Sequence, residues 1–368
     1  MKILHVFRTP VGGLFRHVRD LVRGQSQLGH DVGILCDSST GGTVAETLLN
    51  QIRPFCTLGI QRIGISRLPG LGDVSAALQT KSSAEKIGAE VIHGHGAKGG
   101  LYGRIAARAL GVPSVYTPHG GSLHYNWLGF PGGIFLATEW ALGKIGTGML
   151  FVCEHERESF MSKIGLDGKR HAVVFNGLWP DEFSKVEPRS DASDVFFIGD
   201  MRLLKGVDIL LEAIALLKLK RPITANFVGD GPDLARFQRQ SEDLGLSQDV
   251  RFLGRLPTAE ALKCGRLLVM PSRAESFPYV VLEAGAGQVP IIACDVGGIS
   301  EMLPRQNLCP PDNARSLARH IEMALAIPQA TAQDAQSLSQ SMQQTFSAEM
   351  MAKGVTAFYA ELKELPAR

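Results

Sequence analysis

Short apolar segments alternate with helix-patterned ones along most of this chain, and they do so in two successive runs. The first run reads as strand Lys2–Phe7, helix Leu14–Leu28, strand Asp31–Cys36, strand Glu90–His93, helix Gly99–Leu110 and strand Ser114–Thr117. It continues with helix Ile134–Leu142, strand Gly148–Cys153, helix His155–Ile164 and strand His171–Phe175. The second run has strands at Val195–Ile198, Thr224–Val228, Val250–Leu253, Leu267–Met270 and Pro290–Cys294. Helices Val207–Leu219, Asp233–Leu244, Thr258–Lys263 and Val280–Gly285 lie between them. Strands that are apolar throughout rather than on alternate residues must be covered on both faces, which calls for a parallel sheet with crossover helices. The predicted fold class is therefore α/β, with two Rossmann-like parallel-sheet domains facing a central cleft.

The alternation breaks around Asn176–Phe183, and a polar stretch runs on to Asp194. This divides the chain into an N-terminal domain, 1–180, a C-terminal domain, 181–345, and a closing helical segment, 346–368, that packs back toward the first domain. Ligands of open parallel sheets bind beyond the carboxyl ends of the strands, so two such domains point to the cleft between them.

Composition removes several alternatives. Lys and Arg exceed Asp and Glu by 38 − 36 = 2, too small a surplus for a nucleic-acid binder. The six cysteines include no C-x-x-C pair, which argues for buried free thiols in a reducing compartment rather than a disulfide framework or zinc ribbon. The first eight residues carry too short an apolar run for a signal peptide. The apolar stretch from Trp127 to Cys153 is broken by Pro131, Glu139 and Lys144, so a spanning helix is not expected. These features imply a cytoplasmic protein. A basic helix bearing Arg16, His17, Arg19 and Arg23, with Leu123, Tyr125, Trp127, Leu128 and Phe130 in a nearby loop, raises the expectation of peripheral contact with anionic lipid.

The segment from Glu275 to Glu283 follows a strand directly and opens a helix. Outward amides at the start of that helix suit a diphosphate, while carboxylates accept hydrogen bonds from sugar and ribose hydroxyls. His93 and His95 alternate along one strand and can face one ion. No nearby carboxylate completes such a site, so they read as structural histidines. No D-x-D pair is present to hold a divalent cation on a diphosphate.

Ordered along the chain are Gly12-Gly13 with Arg16-His17-Val18, Gly29–Val32, Val91–His95, Tyr116–Gly120 and Phe175–Gly177. Phe197–Gly199, Lys205–Asp208, Val228–Pro232, Phe252–Arg255, Glu275–Ala284 and Asp295–Glu301 follow. In this order and spacing the chain resembles the retaining GT-B glycosyltransferases of the large family 4, group 1, of polysaccharide-biosynthesis type. The resemblance implies a metal-independent hexosyltransferase that moves a sugar from a UDP- or GDP-linked donor to a hydroxyl acceptor. It implies no cofactor, and as partners the donor and an acceptor that can be lipid-linked. A same-fold epimerase and a non-catalytic sugar- or nucleotide-binding protein are the alternatives. A dinucleotide-dependent oxidoreductase is disfavoured by the absence of G-x-G-x-x-G after the first strand.

Residue by residue, the resemblance implies that Glu283 binds the ribose and Glu275 the donor sugar. Lys205 neutralises the leaving diphosphate, helped by Arg202. The family often has arginine directly after the residue matching Gly199, where this chain has Asp200, and Arg202 stands two residues further on. His119 lies near the transferred sugar. Gly12 and Gly13 form a turn against the donor phosphate or acceptor, and Gly231 and Arg255 join the nucleotide-binding set. Many relatives have glycine where this chain has Pro278, which lacks an N–H. The donor grip therefore falls to the amides of Phe277, Tyr279 and Val280.

Overall fold

The computed structural model describes residues 1–166 and 168–364. The chain divides into two compact units, Met1–Gly177 together with the chain from Ala348 onward, and Leu178–Ser347.

In the first unit the elements are β1 (Lys2–Phe7), α1 (Gly12–Gln27), β2 (Asp31–Asp37), α2 (Gly42–Ile52), β3 (Ile60–Ile63), α3 (Gly72–Ile87) and β4 (Val91–His95). Then come α4 (Gly96–Leu110), β5 (Ser114–Thr117), α5 (Gly132–Ile145), β6 (Gly148–Phe151), α6 (Glu154–Lys163) and β7 (Arg170–Val173). The seven strands form one sheet in the order β3-β2-β1-β4-β5-β6-β7, every pair parallel. Ile3, Leu4, Val6 and Phe7 of β1 are all buried, which is why that strand reads as one apolar run.

The second unit contains β8 (Ser193–Ile198), α7 (Val207–Lys218), β9 (Ala225–Val228), α8 (Leu234–Asp243), β10 (Val250–Gly254), α9 (Thr258–Ala261) and β11 (Gly265–Met270). It continues with α10 (Tyr279–Ala286), β12 (Ile291–Cys294), β13 (Leu308–Cys309), α11 (Ala314–Ala326) and α12 (Pro328–Thr345). Its sheet is ordered β10-β9-β8-β11-β12-β13, again all parallel. Phe197, Phe227, Leu210, Ile214 and Phe237 meet between this sheet and its helices.

The last helix, α13 (Ala348–Lys363), belongs to the first unit. Met351, Val355, Phe358, Tyr359 and Leu362 pack on Ile3, Leu21, Val91 and Leu150. Burying a side chain of this size contributes about 1.5–3 kcal/mol, so the helix is a large part of that core.

Sequence periodicity missed α2, β3 and α3. The buried face of α3 is Ala76, Ala77, Thr80, Ser83 and Ala84, which offers no large apolar period. β3 is a four-residue edge strand with only Ile63 buried. Gly12 and Gly13 are the first two residues of α1 rather than a turn ahead of it, although Gly12 keeps a left-handed φ of 79°.

The basic helix expected to face lipid directs much of its charge inward. His17 is buried, and Arg16 and Arg19 both pair with the buried carboxylate of Asp20, at 2.5 and 2.9 Å. Two of its three arginines therefore share one internal carboxylate. Among the described residues, no helix is long and apolar enough to cross a membrane, and all six cysteines are buried and free.

Candidate active site

β8 and β11 are neighbours whose onward connections leave in opposite directions, to β9 and to β12. Such a reversal opens a crevice at the carboxyl ends of the strands. The loop after β8 makes a 3-10 turn, Leu203–Lys205, and enters α7 through Gly206. The loop after β11, Pro271 to Pro278, enters α10. Across the reversal, Lys205 Nζ lies 2.6 Å from Glu275 Oε1, and Ser272 Oγ donates to the same oxygen at 2.7 Å. The lysine side chain is 23% exposed and that of the glutamate 8%, so water screens the pair only weakly.

Two backbone devices and one arginine hold these loops. A Cβ at Gly206, whose φ is +68°, would fall 1.9 Å from the carbonyl oxygen of Pro271. One at Gly297, whose φ is +61°, would fall 2.0 Å from that of Glu275, and the next amide, Gly298 N–H, donates to the Ser276 carbonyl at 2.8 Å. Arg273 forks onto both oxygens of Asp208 at 2.8 Å, reaches Asp312 at 2.6 Å and donates to the Leu203 carbonyl. Its own N–H donates to the Leu204 carbonyl at 2.8 Å. Arg273 therefore ties the lysine loop to the glutamate loop, a role visible only once both loops are in place. Gly297→Ala combines a left-handed backbone with a clash against carbonyl oxygen. It is expected to lower stability by about 2–4 kcal/mol, read as the midpoint of urea unfolding.

The other residues expected in this unit spread outward from the pair. Phe277 is buried with its ring centroid 5.4 Å from that of Phe346, edge-on. Tyr279 and Val280 open α10, which has no side-chain cap because Pro278 occupies the cap position. Glu283 is half-buried one turn further along the helix. Gly231 N–H donates to Asp230 Oδ1 at 2.8 Å, and Arg255 is exposed, 3.6 Å from Asp230. Arg202 is exposed and caps the turn that carries Lys205; the structure does not bring it into the Lys205–Glu275 pair.

In the first unit the matching reversal lies between β1 and β4, and here sequence reasoning fell short. The register pairs His5 with His93 and Phe7 with His95, while β4 and β5 pair His95 with Thr117. His17 arrives from α1 and His119 from the loop after β5, so five histidines meet. His5 Nε2 lies 2.8 Å from Gln25 Oε1, an acceptor, so it carries the proton. His5 Nδ1 then accepts from His95 Nε2 at 2.9 Å. His95 Nδ1 is left to accept from His119 Nε2 at 3.2 Å. Tyr359 Oη bonds His93 Nδ1, and His93 Nε2 lies 2.8 Å from Thr117 Oγ1. His17 Nδ1 donates to Asn176 Oδ1 at 2.8 Å, and its buried Nε2 has no hydrogen-bond partner.

Burial holds all five imidazoles neutral. It lowers His5 and His17 to about 4 and takes His93, His95 and His119 well below the ordinary value. His119 itself has a left-handed φ of 55°. Glu156 steadies that loop by accepting from Gly120 N–H with one oxygen and from Val152 N–H, at 3.0 Å, with the other. No carboxylate is expected beside His93 and His95 to complete a metal site; what gathers around them, unforeseen from the sequence, is other histidines from distant elements.

Residues 180–343 match the family described as Glycosyl transferases group 1, and residues 11–182 match Glycosyltransferase Family 4. Glycogen synthase of Mycobacterium tuberculosis is 24% identical over 96% of this chain and 92% of its own length. D-inositol 3-phosphate glycosyltransferase of Jonesia denitrificans is 25% identical over 85% and 83%. The structure of Anabaena Alr3699/HepE in complex with UDP and glucose superposes with a TM-score of 0.83 at 20% identity, covering 99% of this chain and all of that one. Two parallel-sheet units and family matches running almost end to end place the chain among the group 1 glycosyltransferases of the GT-B fold.

Proposed function

We propose that this glycosyltransferase moves a hexosyl group from a UDP- or GDP-linked sugar to a hydroxyl acceptor with retention of the anomeric configuration. The reading places it in the assembly of exopolysaccharide, lipopolysaccharide or another glycoconjugate. The observation that carries it is the Lys205–Glu275 pair at the reversal of the second sheet. The neighbour that holds UDP and glucose supports the donor class.

In this mechanism the second unit holds the donor. Glu283 accepts from the ribose hydroxyls and Glu275 from those of the sugar, while the first turn of α10 faces the diphosphate with the positive end of its dipole. As the glycosidic bond lengthens, negative charge gathers on the departing diphosphate. Lys205, held by its pair with Glu275, and Arg202 on the same turn are assigned to that charge, since cations positioned in advance need little reorganisation at the moment of reaction. A donor phosphate oxygen takes the acceptor proton on the same face, which gives retention without an enzyme nucleophile.

A thermal-shift panel of sugar nucleotides identifies the donor, because a ligand bound only by the native form raises its melting point. Proton NMR of the first-formed product then reads the anomeric configuration. An inverted product would overturn retention, and a panel without any response would overturn the donor class. With lysine supplying the counter-charge, adding Mg2+ or Mn2+ is expected to leave the transfer rate unchanged.

The acceptor is proposed to be lipid-linked, met at the inner face of the plasma membrane. Support comes from the segment before α5, where Leu128 and Phe130 stand almost fully exposed beside half-exposed Trp127 and Tyr125. Lys163 and α6 pin this segment from behind: Lys163 Nζ donates to the carbonyls of Leu123 and Tyr125, and Trp127 Nε1 donates to the Lys163 carbonyl at 2.7 Å. Exchanging Trp127, Leu128 and Phe130 for serine is expected to abolish co-sedimentation with anionic vesicles and to spare activity on a soluble acceptor. Equal binding by both proteins would remove the membrane from the proposal.

A further inference from the structure

The hydrogen-bond assignments leave the lone pairs of two imidazole nitrogens available close to a third ring. His17 Nε2 is buried with no partner, and His95 Nδ1 is occupied only by the proton of His119 Nε2. One ring nitrogen from each of His17, His95 and His119 lies within 4.8 Å of the other two. The ring centroids are 5.5 Å apart for His17–His95, 4.8 Å for His17–His119 and 5.4 Å for His95–His119. Three imidazoles around one tetrahedral zinc, with Zn–N near 2.05 Å, would place their centroids about 5.2 Å apart. The three rings already stand at that spacing.

We infer that His17, His95 and His119 form a binding site for a borderline divalent cation of the zinc class. Imidazole nitrogen is the donor such ions prefer. The ligating atoms are His17 Nε2, His95 Nδ1 and His119 Nε2. The opposite nitrogens of the first two are already held, as metal-binding imidazoles require: His17 Nδ1 by Asn176, and His95 Nε2 by His5, which is anchored in turn by Gln25. No net proton is lost on binding, because His119 moves its hydrogen from Nε2 to Nδ1. The neighbouring trio His5, His93 and His95 is also close-set, but both nitrogens of His5 and of His93 are engaged. Since His119 is only half-buried, the fourth coordination position opens on its side. The inference concerns residues of the first unit and shares His119 with the residues that the resemblance implies at the donor sugar, but metal binding is read without any donor or transfer, so either reading can fail alone.

The test uses the whole chain without a histidine tag, stripped with chelator and titrated with Zn2+ alone in a calorimeter. One equivalent is expected to bind at micromolar concentration or tighter, and Co2+ in its place should give the intense visible bands of a four-coordinate site. His17→Gln should weaken binding by about 100-fold or more, whereas changing the exposed His155 and His171 together to Gln should leave it intact. The reverse pattern, or no zinc binding below about 100 μM, would overturn the site. Should His17→Gln fail to fold, imidazole nitrogen shifts of the unaltered protein decide. Zinc should then move the resonances of His17, His95 and His119, and a response confined to His155 or His171 would sink the inference.

Discussion

Replacing Lys205 with alanine is expected to lower kcat by about 10²–10³-fold, the usual consequence of removing one preorganised group that faces developing charge. KM for the donor should change far less, because the charge on the leaving diphosphate is greatest in the transition state. Glu275→Gln keeps the shape and loses the charge, and it should raise donor KM as well as lower kcat, since Glu275 is assigned to ground-state sugar hydroxyls. Stability gives an independent readout. In Lys205→Ala the Glu275 carboxylate, with its side chain 8% exposed, keeps Ser272 but loses its cation, and a charged acceptor stranded in this way costs about 1–3 kcal/mol. Removing both groups takes away the stranded charge. The double variant should therefore be more stable than Lys205→Ala alone, although no more active. If the single variants retained full kcat, the Lys205–Glu275 pair would be a structural ion pair and the mechanism would have to be rebuilt around other groups.

The alternation of strands and helices was legible because doubly covered parallel strands leave continuous apolar runs, and because Gly29 punctuates the end of the first helix. The loop that bears Glu275 was legible for the same reason: it follows such a run directly. The proximity of Lys205 to Glu275 came from resemblance and from the rule that loops at a strand-order reversal converge. The histidine cluster escaped because it depends on register. His5 and His93 are 88 residues apart and meet only when β1 lies beside β4 in one alignment. A slip of one residue would turn them to opposite faces. The basic character of α1 misled for a simpler reason. Asp20 lies four residues after Arg16 and one after Arg19, and the burial that makes that pairing matter cannot be read from spacing.

Acid should unfold the first unit before the second. The five clustered histidines, four of them buried and His119 half-buried, are held neutral, and the unfolded chain titrates each near its ordinary 6.5. Below that pH the unfolded state binds protons that the folded state refuses, so stability falls as pH falls. The loss continues until the folded values are reached, about 4 for His5 and His17 and well below the ordinary value for the other three. At about 1.36 kcal/mol per pH unit for each group, His5 and His17 alone remove several kcal/mol by pH 4, on the order of the whole stability of an ordinary domain. Nine of the ten histidines lie in the segments of the first unit, and the second holds only His320, whose ring Nδ1 bonds the Ser316 carbonyl on its own helix. Hydrogen exchange measured with chelator present at pH 7 and pH 5 should show protection lost across β1, β4 and β5 and retained across β8, β9 and β11. Equal losses in both units would mean that carboxylates, not buried imidazoles, govern acid stability. A first unit still protected at pH 4.5 would mean that the cluster accepts protons without opening, contrary to the neutral network drawn from its hydrogen bonds.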